Sequence, residues 1–412
     1  MRAVRLGALP PALASAEAKA PRMRPKPAGR AAISDHMDGR TALTEVQWSL
    51  LEDPVPQTDL LLVFGTYHHR TMFGEMCNTL AEATNAAHWL GTTTEAVTAN
   101  DQTIEAEPGL SAICLTLPEV SVRTTAVPPW SGVPTHNPQG VADMMGLHSG
   151  GAASIAFADP FSLPIQRMVD SLPDDLPGLW GGVASGASQP GHNVLVADGE
   201  VLDGGFVAAH LHGKVGVDGF VCPGVVPVGD SQVVTEVTKD AITSLGNRPV
   251  LAVLKEVLFG EPEERREWVK DGLLLGIAID EHKRPLGRGD FLVRELLGVR
   301  PEEGQLVCGT PPRVGSTVRF HLRDSDAACE DLVMLLDAQQ LKGPPPAALV
   351  FGCRTRGARL HGEPETDAII VHSHLDKPAQ AGCFMAAEFA PVDGRTRVHG
   401  HSVGVAPIRR AP

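Results

Sequence analysis

Aromatic residues make up only 4% of the chain, and there is a single tyrosine. No apolar run approaches the roughly 18 to 20 residues that a membrane-spanning helix needs, so no membrane role is expected. Basic residues are in the minority: 35 Lys and Arg against 49 Asp and Glu leave a net charge of −14. An acidic chain does not attract phosphate backbones, which argues against nucleic acid as a general partner. The cysteines, seven in number, stand at 77, 114, 222, 308, 329, 353 and 383, with no CxxC spacing. Several lie inside apolar runs, such as Cys114 in LSAICLTL. That usage reads as reduced, buried thiols in a reducing compartment, and a cytoplasmic location is expected. GxSxG, HExxH and EF-hand patterns are missing, and GGVASGAS has neither a P-loop lysine nor GxGxxG spacing. These absences disfavour the familiar enzyme classes.

What is present is glycine (43 residues) and proline (34), with 43% hydrophobic and 20% charged residues. Many short elements joined by tight turns fit this composition, and 412 residues suit two to three domains. Residues 1–36 are rich in Ala, Arg and Pro, with only Glu17 and Asp35 as acids. They read as a disordered leader: either a mis-called start, with Met37 as the alternative, or an organelle-targeting segment. TALTEVQWSLLED has helical spacing. TDLLLVFGT is a continuous apolar run that reads as a strand buried on both faces. A helix is expected over 72–88, strands at WLGTTTEAV and LSAICLTLP, and a long loop over 124–150. IAFADP reads as a strand, PIQRMVDSLPDDL as a helix, LWGGVASGAS as a Gly-rich turn, and NVLVADGEVLDGGFVAAHL as a hairpin turning at Asp198-Gly199. A second unit is expected to open with a helix over 243–258 and to continue through strands, the helix ACEDLVMLLDAQQL and the buried strand ALVF. The two halves share a plan of hairpin, helix and buried strand. The expected fold is α/β, with two modules of mixed sheet (37–242 and 243–412) and helices on their outer faces.

Several ordered stretches resemble FIST-domain proteins. LWGGVASGASQPGHNVLVADGEVLDGGFVAAHL is similar to that family's Gly-Gly-x-x-Ser turn and Asp-Gly hairpin. PGVVPVGDSQVVTEVTKDAITSLGNRPVLAVL and GRGDFLVRELLGVRPEEGQLVCGTPPRVGSTVRFHLRD resemble its central segments. ALVFGCRTRGARLHGEPETD is similar to its Phe-x-Cys-x-x-Arg-Gly signature, and AGCFMAAEFAPVDGRTRVHGHS to its C-terminal part. The likeness runs from about residue 45 to the C-terminus. It implies an N-terminal and a C-terminal FIST module in an intracellular, small-ligand-binding sensory protein. The chain leaves no room for an attached output domain, so a signal would pass through a partner protein. The family has Asn-Gly where this chain has Arg354-Thr355, and Gly where it has Ala387.

The candidate ligand-binding residues are Gly182, Ser185, Cys353, Arg356, Gly357, Glu388 and His399. A strand ending in Cys353 and opening into a Gly-containing turn suits ligand binding beyond the carboxyl ends of strands. Arg356 there could grip a carboxylate bidentately. The plainer alternative pairs these arginines with Glu363, Glu365 and Asp367. Glu388, in the apolar run CFMAAEFAP, must be paired or must bind something; Arg356 is the obvious partner. The expected ligand is an amino acid or another anionic or zwitterionic metabolite. The alternatives are a thiol-dependent enzyme using Cys353 with Glu388 or His399, and a haem gas sensor. Otherwise no cofactor is expected. Three His-x-His pairs (210/212, 372/374 and 399/401) would each share a face if they lie on strands, but no third metal ligand is evident.

Overall fold

A computed structural model describes residues 27–411, apart from 53–56, 131, 134, 261, 263–271 and 309–310. Among the described residues the strands form four sheets. Three of them repeat a single plan. In the first, Ala28–Ser34 pairs antiparallel with Leu110–Thr116, which pairs antiparallel with Thr58–Thr66. Thr58–Thr66 then runs parallel to Ala86–Thr94, with the helix Phe73–Ala83 between them. In the second sheet the same order is Val120–Val127, Phe206–Gly213, Ala153–Ala158 and Leu179–Val183. In the third it is Val215–Val217, Val403–Arg410, Ala347–Cys353 and Ala379–Met385.

Each of these units closes its neighbour's sheet. After its parallel pair, every unit sends out a hairpin before the chain returns. The first unit's hairpin (Ala96–Ala99 and Gln102–Glu105) joins the third sheet beside Ala379–Met385. The second unit's hairpin (Leu195–Ala197 and Glu200–Leu202) joins the first sheet beside Ala86–Thr94. The third unit's hairpin (Ala387–Val392 and Arg395–His399) joins the second sheet beside Leu179–Val183. The exchange forms a ring. The fourth sheet, built from strands between Val225 and Arg323, is inserted into the third unit.

Strand periodicity explains the core. In Thr58–Thr66, Leu60, Leu62 and Phe64 face the interior shared by the three sheets, while Leu61 and Val63 face the outer helices. Phe64, Phe157 and Phe351 stand at equivalent places on their strands, opposite Thr92, Gly182 and Cys383. Their rings meet edge-on around the centre, with centroids 5.7, 6.3 and 6.2 Å apart.

The α/β class with mixed sheets and outer helices is as the sequence implied, but several local expectations are corrected. Residues 28–34 are a paired strand rather than leader, because their backbone completes the first sheet. Residues 1–26 of the expected leader lie outside the described residues. The first-unit helix ends at Ala83 and the next strand starts at Ala86, separated by Asn85 at φ 49. The expected loop over 124–150 contains the end of Val120–Val127 and the helix Pro138–Met144, capped by Asn137. LWGGV is a fully buried strand rather than a turn. The expected helix over 243–258 begins at Val250, after the hairpin strands Ala241–Leu245 and Arg248–Pro249. The shared plan occurs three times, not twice. No helix among the described residues is long and apolar enough to cross a membrane.

Candidate functional site

Thr66, Asp159 and Cys353 stand at equivalent places at the ends of the three central strands, Asp159 directly after Ala158. Their N–H groups donate to the carbonyls of Gly109, Gly205 and Ser402, respectively. Equivalence extends to the hairpins. Opposite Thr92 lies Leu195, opposite Cys383 lies Val97, and opposite Gly182 lies Glu388. Two units thus fill this buried place with an apolar side chain, and the third fills it with a carboxyl.

Glu388 is 0% exposed. Ser402 Oγ donates to its Oε2 at 2.5 Å, while Oε1 has no hydrogen-bond partner of good geometry. Burial pushes the carboxyl well above its ordinary value, and the nearby Arg356 charge and Ser402 bond only partly oppose this. Cys353 is a close polar neighbour. Burial and the adjacent Glu388 push its thiol far up, although Thr355 Oγ1 donates to Sγ at 3.2 Å.

Arg356 does not pair with Glu388. Its Nε and Nη2 donate to Asp367 Oδ2 and Oδ1 at 2.6 and 2.7 Å, a bidentate pair with both side chains buried. Burial alone would raise the Asp367 carboxyl; the Arg356 charge and hydrogen bonds outweigh it and hold the group well below the carboxylate range. The guanidinium expected to hold a ligand is therefore already engaged. That corrects the Arg356–Glu388 expectation in favour of the Asp367 alternative.

The remaining candidates converge on the same region in structural roles. Gly182 sits opposite Glu388, where an added Cβ would meet Ala387 O at 2.3 Å. Ser185 Oγ accepts from Glu95 N–H at 2.9 Å and donates to Phe384 O at 2.5 Å, tying all three units together. Gly357 adopts φ 56, and a Cβ there would press on Phe384 and on Glu105 of the exchanged hairpin. His399 pairs with Glu388 across the hairpin, but its Nε2 bonds Ala390 O. Ser402 was not singled out in the sequence; nothing in GHS marks it until the strand end places it beside Glu388.

The three His-x-His pairs are placed differently, and of them only His210 and His212 lie together on one strand. His372 and His374 lie on the helix Thr366–His374, where positions two apart diverge. His210 is held between Ser154 and Thr125, and His401 sits past its strand at φ 57.

Fold and site together define a ring-exchanged α/β protein with a carboxyl buried where its repeats would otherwise be apolar. The chain belongs to the FIST family, whose domains are sensory: it matches the FIST N domain over 59–248 and the FIST C domain over 251–391. It is 39% identical over 252 residues to the uncharacterized protein Rv0628c of Mycobacterium tuberculosis, covering 60% of this chain and 66% of the relative. It is 36% identical over 252 residues to the uncharacterized protein Mb0898c of Mycobacterium bovis, covering 60% and 65%. The chain thus spans just under two thirds of these relatives.

Proposed function

We propose that the protein binds a small metabolite at Glu388 and reports the bound state to a partner protein. One observation carries this reading: a fully buried carboxyl with an unsatisfied oxygen stands where the two equivalent hairpins carry Leu195 and Val97. A buried polar group left short of partners costs stability, so it is retained where something else uses it. Because Asp367 occupies Arg356, the ligand in this reading offers a donor or ammonium group to Glu388, as a zwitterion such as an amino acid does. Entry requires the hairpin Ala387–His399 to shift, which supplies the change a partner senses. A Cys353 nucleophile is less well supported: burial keeps it a neutral thiol, and the thiolate is the reactive form.

Thermal-shift screening against amino acids, amines, nucleotides and haem tests the proposal. A ligand selective for the folded state raises the melting temperature. The shift is expected with a zwitterion and absent in Glu388→Gln. A shift of equal size in that variant would remove Glu388 from the site. A Soret band on haem addition would favour the gas-sensor alternative.

A further inference from the structure

Asp367 has a second neighbour besides Arg356. His361 Nε2 lies 3.3 Å from Asp367 Oδ1, a charge contact short of hydrogen-bond geometry, and has no hydrogen-bond partner. The His361 side chain is only 1% exposed. Its other ring nitrogen, Nδ1, is 2.8 Å from Ser325 Oγ and 3.9 Å from Cys329 Sγ. Ser325 is the first residue of the 16-residue helix Ser325–Gln340 and, like His361, is half-buried as a residue, whereas Asp367 is buried.

Residue by residue this is a relay: a half-buried hydroxyl, a buried imidazole and a buried carboxylate fixed by an arginine. Because Asp367 stays ionised, it favours the tautomer with the proton on Nε2. Nδ1 is then free to accept from Ser325. Such constellations are recognised by geometry and roles, not by order in the chain. The order here is Ser325, His361, Asp367, on three separate elements of the third unit.

We propose that Ser325, His361 and Asp367 form an acyl-transfer site for small esters, distinct from the Glu388 site. Ser325 Oγ attacks the ester carbonyl carbon while its proton passes to His361 Nδ1. The imidazolium, stabilised by Asp367, returns that proton to the departing alkoxide as the ester C–O bond breaks and the Oγ–acyl bond stands. Water then attacks the acyl group by the same route, releasing the acid and restoring the hydroxyl. The net reaction is ester plus water to acid plus alcohol, with no redox change. Cys329 is the weaker nucleophile: it lies farther from the imidazole, and burial pushes its thiol up.

The test uses the full chain, a fluorophosphonate probe and 4-nitrophenyl acetate. Mass spectrometry is expected to find the probe on Ser325. Ser325→Ala, checked for an unchanged melting temperature, is expected to lose roughly 100-fold or more of ester turnover. Absence of labelling, labelling at Cys329 or elsewhere, or full turnover in Ser325→Ala overturns the proposal. Mapping the probe on the unaltered chain keeps the test decisive even if a variant misfolds. The outcome is independent of Glu388, so failure here leaves the sensory reading standing.

Discussion

Replacing Glu388 by glutamine removes a buried carboxyl whose protonation differs between the folded and unfolded chain. Its carboxyl is raised in the folded state above the ordinary 4.5, so the folded chain holds a proton that the unfolded chain gives up. Stability from this group is present below 4.5 and is lost as pH rises towards the folded value. Melting temperatures measured across that interval are therefore expected to fall less steeply with pH in Glu388→Gln; an unchanged slope would contradict the assignment. The Arg356–Asp367 pair predicts something different. Arg356→Met alone strands a buried carboxylate and should cost about 3–5 kcal/mol in urea unfolding, whereas adding Asp367→Leu should recover most of that loss. Much of this cluster was legible in the chain. A glutamate inside CFMAAEFAP signals a buried charge, and an arginine cluster after ALVF signals a need for acids. The choice among acids was not legible, because it depends on how a hairpin and a short helix pack. The buried, engaged state of Arg356 was hidden for the same reason.

At the level of elements, the hairpin Ala387–His399 depends on a glycine. Gly182→Ala would drive a Cβ to within 2.3 Å of the Ala387 carbonyl, and backbone cannot yield as a side-chain tip does. We expect a loss of roughly 3 kcal/mol, at the upper end of ordinary substitutions, read as a lower urea midpoint. The second sheet should open at that edge, with faster amide exchange in 387–392 than in the hairpin at 195–202. Element legibility followed the side chains. TDLLLVFGT declared itself as a strand because a continuous apolar run needs cover on both faces. The Asp198-Gly199 turn was equally plain, with both residues at positive φ. LWGGV reads as a turn in sequence because glycine usually punctuates, yet in the fold it makes room for a neighbouring strand.

For the whole molecule, the three phenylalanines at the centre should act as one unit. Phe64→Ala, Phe157→Ala and Phe351→Ala are each expected to cost about 3–5 kcal/mol. Pairs of these changes should fall short of the sum, because the rings touch. Acid should also unfold the protein through its buried imidazoles. Burial depresses His210, His321 and His399 from 6.5 to about 4, so the unfolded chain takes up protons first as pH falls. Their contribution is intact above 6.5 and drains away towards pH 4. Circular dichroism across that range would read the loss. The threefold plan itself was not legible, since the repeats share strand order and register, which appear only once the strands are paired, and the inserted sheet hides the third.

The hairpin exchange also bears on how the chain can be divided. The matched family domains part between residues 248 and 251, within the inserted portion, whereas each unit's arm is clasped by a neighbour. A polypeptide cut there would yield two incomplete halves, each with a bare sheet edge and an unclaimed arm. Neither should be soluble alone, but co-expressed halves should find one another and rebuild the ring, much as a split reporter does.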